Sequence, residues 1–148
     1  MTTNLSSDGV RLPGRWSKIV FLSTSALYTF CLVAQLLTVG LAVFYGPEWW
    51  NVHVWLVRGF GGLAAVLLGL AFLGPFPQRI RILTGSLTVL LGLQFLTIHL
   101  HPALSVLHPL SGFLLFTVAT TLVHRASNLV FPKSDVVVIG ASQPSPQA

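Results

Sequence analysis

Residues 19–44 read IVFLSTSALYTFCLVAQLLTVGLAVF and contain neither an acid nor a base. A helix of that length crosses the hydrocarbon core of a bilayer, which takes about 20 apolar residues. Three comparable runs follow, Val52 to Gly74, Ile82 to Leu100 and Leu107 to Val123. None alternates polar with apolar residues as a membrane barrel strand does, so helices remain as the way to satisfy the backbone in lipid. Composition agrees. Charged residues make up 7% of the 148 and hydrophobic residues 53%, where an ordinary soluble domain is roughly a quarter charged. A disordered chain and a water-soluble domain are excluded. A disulfide scaffold is excluded too, because the single Cys31 lies inside an apolar run. The net charge of +5 does not signal nucleic acid, since the bases flank apolar runs instead of forming a patch.

Turn residues separate the runs: Gly46-Pro47, Gly74-Pro75-Phe76-Pro77 and Pro102. Links this short make neighbouring helices antiparallel, which predicts an all-α, up-down four-helix membrane bundle. Arg11, Arg15 and Lys18 precede the first run, Arg79 and Arg81 lie between the second and third, and Arg125 and Lys133 follow the fourth. All seven fall on one side, and the opposite links carry no Lys or Arg. By the positive-inside rule both termini are cytoplasmic, in a multi-pass protein of the bacterial plasma membrane, with Trp49 and Trp50 at the outer interface. The expected organisation is a cytoplasmic leader over 1–18, a membrane domain over 19–126 and a cytoplasmic tail over 127–148. The first run is too long for a signal-peptide core and is kept as an anchor. Within the tail, Val136-Val137-Val138-Ile139 reads as a frayed end.

An internal repeat carries the most information. Gln35-Leu36-Leu37-Thr38-Val39-Gly40-Leu41 in the first run matches Gln94-Phe95-Leu96-Thr97-Ile98-His99-Leu100 in the third, and the glutamine is the telling position. Leucine and threonine coincide easily in membrane segments. After Gln35 the next histidine entering a helix is His53; after Gln94 it is His108, and a link four residues shorter reconciles the two spacings. Two copies of a helical hairpin, related by an axis along the membrane normal, account for this. The second and fourth helices then sit diagonally, with His53 and His108 at matching depth near their outer ends. Gln35 and Gln94 would form a second polar pair. Gly112, one turn below His108, removes side-chain bulk and leaves room for something flat, as do Gly59, Gly61 and Gly62 below His53.

Two imidazoles facing each other inside an apolar bundle are an axial ligand pair for haem. The expected site is a haem b held by His53 and His108, with Gln35, Gln94, Gly112 and Arg58 around it, in a protein that passes electrons within the membrane. Its partners would be the lipid bilayer, a quinone or a membrane redox subunit, and a second copy of the chain as a homodimer. The competing reading is a haem-free structural or accessory subunit of a larger membrane complex, with Gln35 and Gln94 as interhelical glue and Gly59, Gly61, Gly62 and Gly69 permitting close packing.

The segment from Gln94 through His108-Pro109-Leu110-Ser111-Gly112 to His124-Arg125-Ala126 is similar to the last third of a bacterial family of four-helix membrane proteins of unknown function. That resemblance covers roughly residues 19–126, has His-Pro-x-x-Gly as its most specific element, and implies topology alone. A more distant likeness is to one four-helix half of haem A synthase, where histidines at the outer starts of the second and fourth helices ligate haem; His53 and His108 match those places. That enzyme joins two such halves, and its catalytic half carries a glutamate three residues before the first histidine, where this chain has Trp50, with Glu48 five before. The likeness therefore implies haem binding without haem oxidation.

Other polar residues carry less. His99, His101 and His108 have metal-ligand chemistry, but positions i and i+2 of a helix point apart, so they read as interface histidines. His124 and Arg125 suit a helix C-terminus. Arg58 is the one cation inside a run, and its five-residue offset turns it about 140° from His53, so it need not share the histidine's pocket. It is expected to snorkel, to pair with Glu48 or to approach a haem propionate. No phosphate loop, carboxylate pair or Ser/His/Asp arrangement is present, and no catalytic residue is assigned.

Overall fold

A computed structural model describes residues 14–99 and 102–132. The leader to Pro13 with its Arg11, the residues Leu100 and His101, and the tail from Lys133 with its Val136–Ile139 run lie outside the described residues. The chain is all-helical over the described part: α1 Gly14–Phe44, α2 Trp49–Phe60, α3 Gly62–Leu73, α4 Gln78–His99, a 3₁₀ turn Pro102–Val106 and α5 Leu107–Val130. Helices α2 and α3 form one span broken at Gly61, so four spans are long and apolar enough to cross a membrane. Helix α1 begins before Ile19 and α5 ends beyond Ala126. Apolarity marks where a helix lies in lipid, whereas hydrogen bonding continues through the polar turns at Arg15–Lys18 and Ser127–Asn128.

The packing is the square expected of an up-down bundle. Helix α1 packs against α2, α3 and α5, and α4 packs against α3 and α5; neither α1 with α4 nor the α2–α3 span with α5 makes contact. The diagonals are therefore α1–α4 and α2/α3–α5. Buried residues repeat the hairpin register established by the glutamines. Phe21, Ser25, Tyr28, Leu32 and Thr38 on α1 match Ile80, Thr84, Leu87, Leu91 and Thr97 on α4. Phe60, Ala64, Leu67 and Ala71 match Leu115, Ala119, Leu122 and Ala126. Thus the two hairpins share a whole interior face, of which the seven-residue match is about two turns.

The end bearing Arg79 and Arg81 is solid. Tyr28 meets Phe60 edge-on at 5.5 Å, and Phe21 lies against Phe76 at 4.6 Å. Phe76 folds back over Gly74, where a Cβ would strike its ring, and Arg81 Nε donates to the Ala71 carbonyl at 3.2 Å, satisfying the C-terminal end of α3. Gly59, Gly62 and Gly69, by contrast, have nothing within 4 Å of a Cβ, so the close packing expected of them does not occur within the chain. The small residues between helices are the alanines.

The exterior is apolar all round, with Phe44, Leu73 and Val89 at 83%, 91% and 71% exposure. In water such a surface would aggregate; lipid solvates it. Most threonine hydroxyls on the spans bond back to their own helix, as Thr24 to the Val20 carbonyl at 2.8 Å and Thr117 to that of Phe113 at 2.9 Å, which satisfies them without water. The buried Tyr28 Oη has no partner among the described residues. Ala119→Leu is expected to overpack the interior and cost about 1–3 kcal/mol, read as a lower melting temperature in detergent. Val89→Ala on the lipid face leaves that temperature unchanged.

Candidate cofactor site

Below Gly61 the second span stays on α4 through α3; above it, α2 and α4 do not touch. Gly61 itself lies 4.0 Å from Leu91 Cδ2, measured from a Cβ built on it, and marks where the two helices part. The histidine end of the bundle consequently encloses a cavity of about 460 Å³ lined from α1, α2, α4 and α5, within the size range of small-molecule sites. Its wall is apolar, with Leu32, Val57, Leu91 and Leu115 among its lining, and its polar groups include His53, His108, Gln35, Gln94, Arg58 and His99. All six sequence-predicted site residues are brought to this one space.

Each histidine is clamped by the helix that precedes it. His53 Nδ1 lies 3.3 Å from the Gln35 carbonyl and 3.1 Å from Thr38 Oγ1. His108 Nδ1 lies 3.2 Å from the Gln94 carbonyl and 3.4 Å from Thr97 Oγ1. A carbonyl oxygen only accepts, so Nδ1 carries the proton in both rings. Thr38 and Thr97 donate their own hydroxyls to those same carbonyls, at 2.7 and 3.0 Å, which turns an oxygen lone pair toward Nδ1–H. The neutral ring then has its lone pair on Nε2, the tautomer that binds a metal ion. Trp50 packs edge-on against the His53 ring at 5.6 Å and restrains it further.

Gln35 and Gln94 do not pair with each other. Each serves the histidine of its own hairpin: Gln35 Nε2 donates to the His53 carbonyl at 2.9 Å, while the Gln94 amide lies over Gly112, with Nε2 only 2.9 Å from a Cβ placed there. Gly112 therefore makes room for glutamine, and the flat slot expected above it is partly filled by that side chain. Both amide oxygens, Gln35 Oε1 and Gln94 Oε1, are buried without a hydrogen-bond partner among the described residues.

Arg58 differs from the angular estimate. It lines the same cavity as His53, while its guanidinium lies over the exposed Trp55, 5.8 Å from the ring centroid. His99, set aside in the sequence as an interface residue, also lines the cavity, with Nδ1 donating to the Phe95 carbonyl at 2.7 Å. No group of three metal-ligating side chains forms among the described residues. His124 stands apart at the other end, with Nε2 3.4 Å from Asn128 Nδ2. Sequence reasoning missed Thr38, Thr97 and Trp50; the threonines were visible in the repeat but ordinary as membrane residues.

Residues 35–99 match a protein family described as a family of unknown function (DUF6220). The matched stretch opens on Gln35 and closes on His99, so it takes in the complete His53 clamp and the Gln94–Thr97 half of the other, and stops short of the His-Pro-x-x-Gly element. No curated protein and no solved structure matches the chain. The family supplies no activity, and chemistry has to be argued from the cavity.

The contact between Gln94 and Gly112 gives a test. Gly112→Ala is expected to lower the melting temperature by forcing the amide aside, and Gln94→Ala in the same chain to recover part of that loss. Strictly additive losses would show that the two residues do not meet.

Proposed function

We propose that this protein is a membrane haem b protein in which His53 and His108 are the axial ligands and which carries single electrons within the bilayer. The observation that supports this most directly is the doubled clamp. Two imidazoles on diagonal helices have the same ring nitrogen tied to the same backbone position, so the opposite nitrogen of each is the available donor inside one apolar cavity. Binding of a flat macrocycle needs the ligands oriented beforehand, and a bond from the distal ring nitrogen to a carbonyl both orients the ring and raises its basicity.

The remaining residues fit that group. Leu32, Leu91 and Leu115 exclude water from the cavity, which bears on redox potential. Arg58 puts N–H donors among the cavity lining. Haem, when bound, supplies reversible one-electron chemistry; the chain holds it, fixes its ligands and keeps it dry. The electron would pass to a quinone or to a redox subunit in the same membrane. We place the histidine end on the outer side of a bacterial plasma membrane, with Arg15, Lys18, Arg79, Arg81 and Arg125 in the cytoplasm, on the charge asymmetry of the links.

Absorption spectroscopy of the chain expressed with ample haem tests the reading. The reduced protein should give the sharp bands of a six-coordinate haem b, and His53→Gly or His108→Gly should lose them while added imidazole restores them. A colourless, folded protein overturns the reading and favours the haem-free accessory subunit. Orientation is checked separately in a Cys31→Ser background: Glu48→Cys should react with an impermeant thiol reagent in intact cells, and Arg79→Cys only after permeabilisation.

A further inference from the structure

The cavity is built with pseudo-twofold symmetry, and two of its polar lining residues, Arg58 and His99, break it. In the hairpin register, Arg58, five residues after His53, corresponds to Phe113, five after His108; His99, five after Gln94, corresponds to Gly40. Both symmetry-breaking residues line the cavity, and both belong to the α2–α4 side, where the helices part above Gly61. The equivalent α1–α5 side has Phe113 and Gly40 in their places.

The two side chains converge in depth. Side chains lean toward the N-terminal end of their helix, and α2 and α4 run in opposite directions. Arg58 accordingly reaches up one turn to lie over Trp55, and His99 turns down one turn to the Phe95 carbonyl. With Nδ1 turned to that carbonyl, the ring of His99 keeps Nε2 for a group in the cavity. Trp55 holds the guanidinium by a cation–π contact and leaves its N–H edges free for a planar acceptor. A guanidinium and an imidazole lining one otherwise apolar cavity are groups of the kind that recognise a carboxylate.

We propose that Arg58 and His99 bind the acidic edge of the macrocycle, so that its two propionates sit at the α2–α4 mouth and the haem enters the pseudo-symmetric cavity one way round. This rests on the bis-histidine reading above. It makes Arg58 and His99 orienting residues that touch the cofactor's carboxylates, distinct from the ligands that hold its iron.

The experiment reconstitutes the purified full-length chain with haem b and, separately, with its dimethyl ester, which keeps the ring and iron but has no carboxylates. The wild-type protein should bind the ester at least about tenfold more weakly than haem b. Arg58→Leu should lose that discrimination, binding both macrocycles equally, and His99→Leu should reduce it, while the bis-imidazole spectrum persists in both variants. In Arg58→Leu the haem methyl resonances of the oxidised protein should double, reporting two orientations. Phe113→Leu, at the equivalent place on the other side, should change neither ratio nor resonance count. Equal affinity of the wild-type protein for haem and ester, or undiminished discrimination in Arg58→Leu, overturns the assignment. Failure of the wild-type protein to give the bis-imidazole spectrum with either macrocycle instead overturns the ligand reading on which it rests.

Discussion

A hydrogen bond from an imidazole N–H to a backbone carbonyl one helix away is the constraint on which the site depends. A mid-helix carbonyl is already taken by its own i+4 amide, yet the Gln35 and Gln94 carbonyls also receive a threonine hydroxyl and a histidine ring nitrogen. Such a bond ties hairpin to ring: it sets how far α2 stands from α1 and α5 from α4, and it decides which nitrogen of each ring is left over. Because lipid offers no competing water, the ring cannot trade this partner for solvent. The site's chemistry and the hairpin's geometry are therefore one feature, and its appearance in both hairpins is what makes the cavity two-sided.

The division of the bundle into a solid half and an open half follows from where side chains are large. Tyr28, Phe60, Leu67, Leu87 and Leu122 fill one end completely, with alanines at 64, 71, 119 and 126 letting the helices close in, as small residues do between membrane helices. Gly61 keeps helical dihedrals and its N–H bonds the Val57 carbonyl at 2.9 Å, so the span stays hydrogen-bonded there. Beyond it α2 does not approach α4 as α3 does, and the cavity lies at that level.

Most of the architecture was legible in the sequence because lipid imposes simple rules. Span number, antiparallel order and diagonal placement follow from apolar length and short links, and the two histidines that the Gln35/Gln94 match pairs, His53 and His108, line one cavity. What escaped notice did so for identifiable reasons. Thr38 and Thr97 act through a lone pair oriented by their own backbone bond, a role that an abundant membrane residue does not advertise. Angular projection puts Arg58 away from the histidine, and its guanidinium does lie over the exposed Trp55, yet the long side chain still lines the cavity. His99 fell beside Pro102 and read as an unwinding end, although α4 continues to it. Gly112 looked like space for a ligand; from sequence alone a glycine that admits a cofactor cannot be told from one that admits a neighbouring glutamine.

The central claim is that both rings offer the same nitrogen to the same bound group. Pulsed electron paramagnetic resonance on the oxidised, haem-loaded protein, labelled with ¹⁵N at histidine Nε2, measures this directly. The account predicts hyperfine coupling to two equivalent labelled nitrogens, reduced to one in either His53→Gly or His108→Gly supplied with unlabelled imidazole. Coupling to a single histidine, or coupling that appears only with the label at Nδ1, would contradict it.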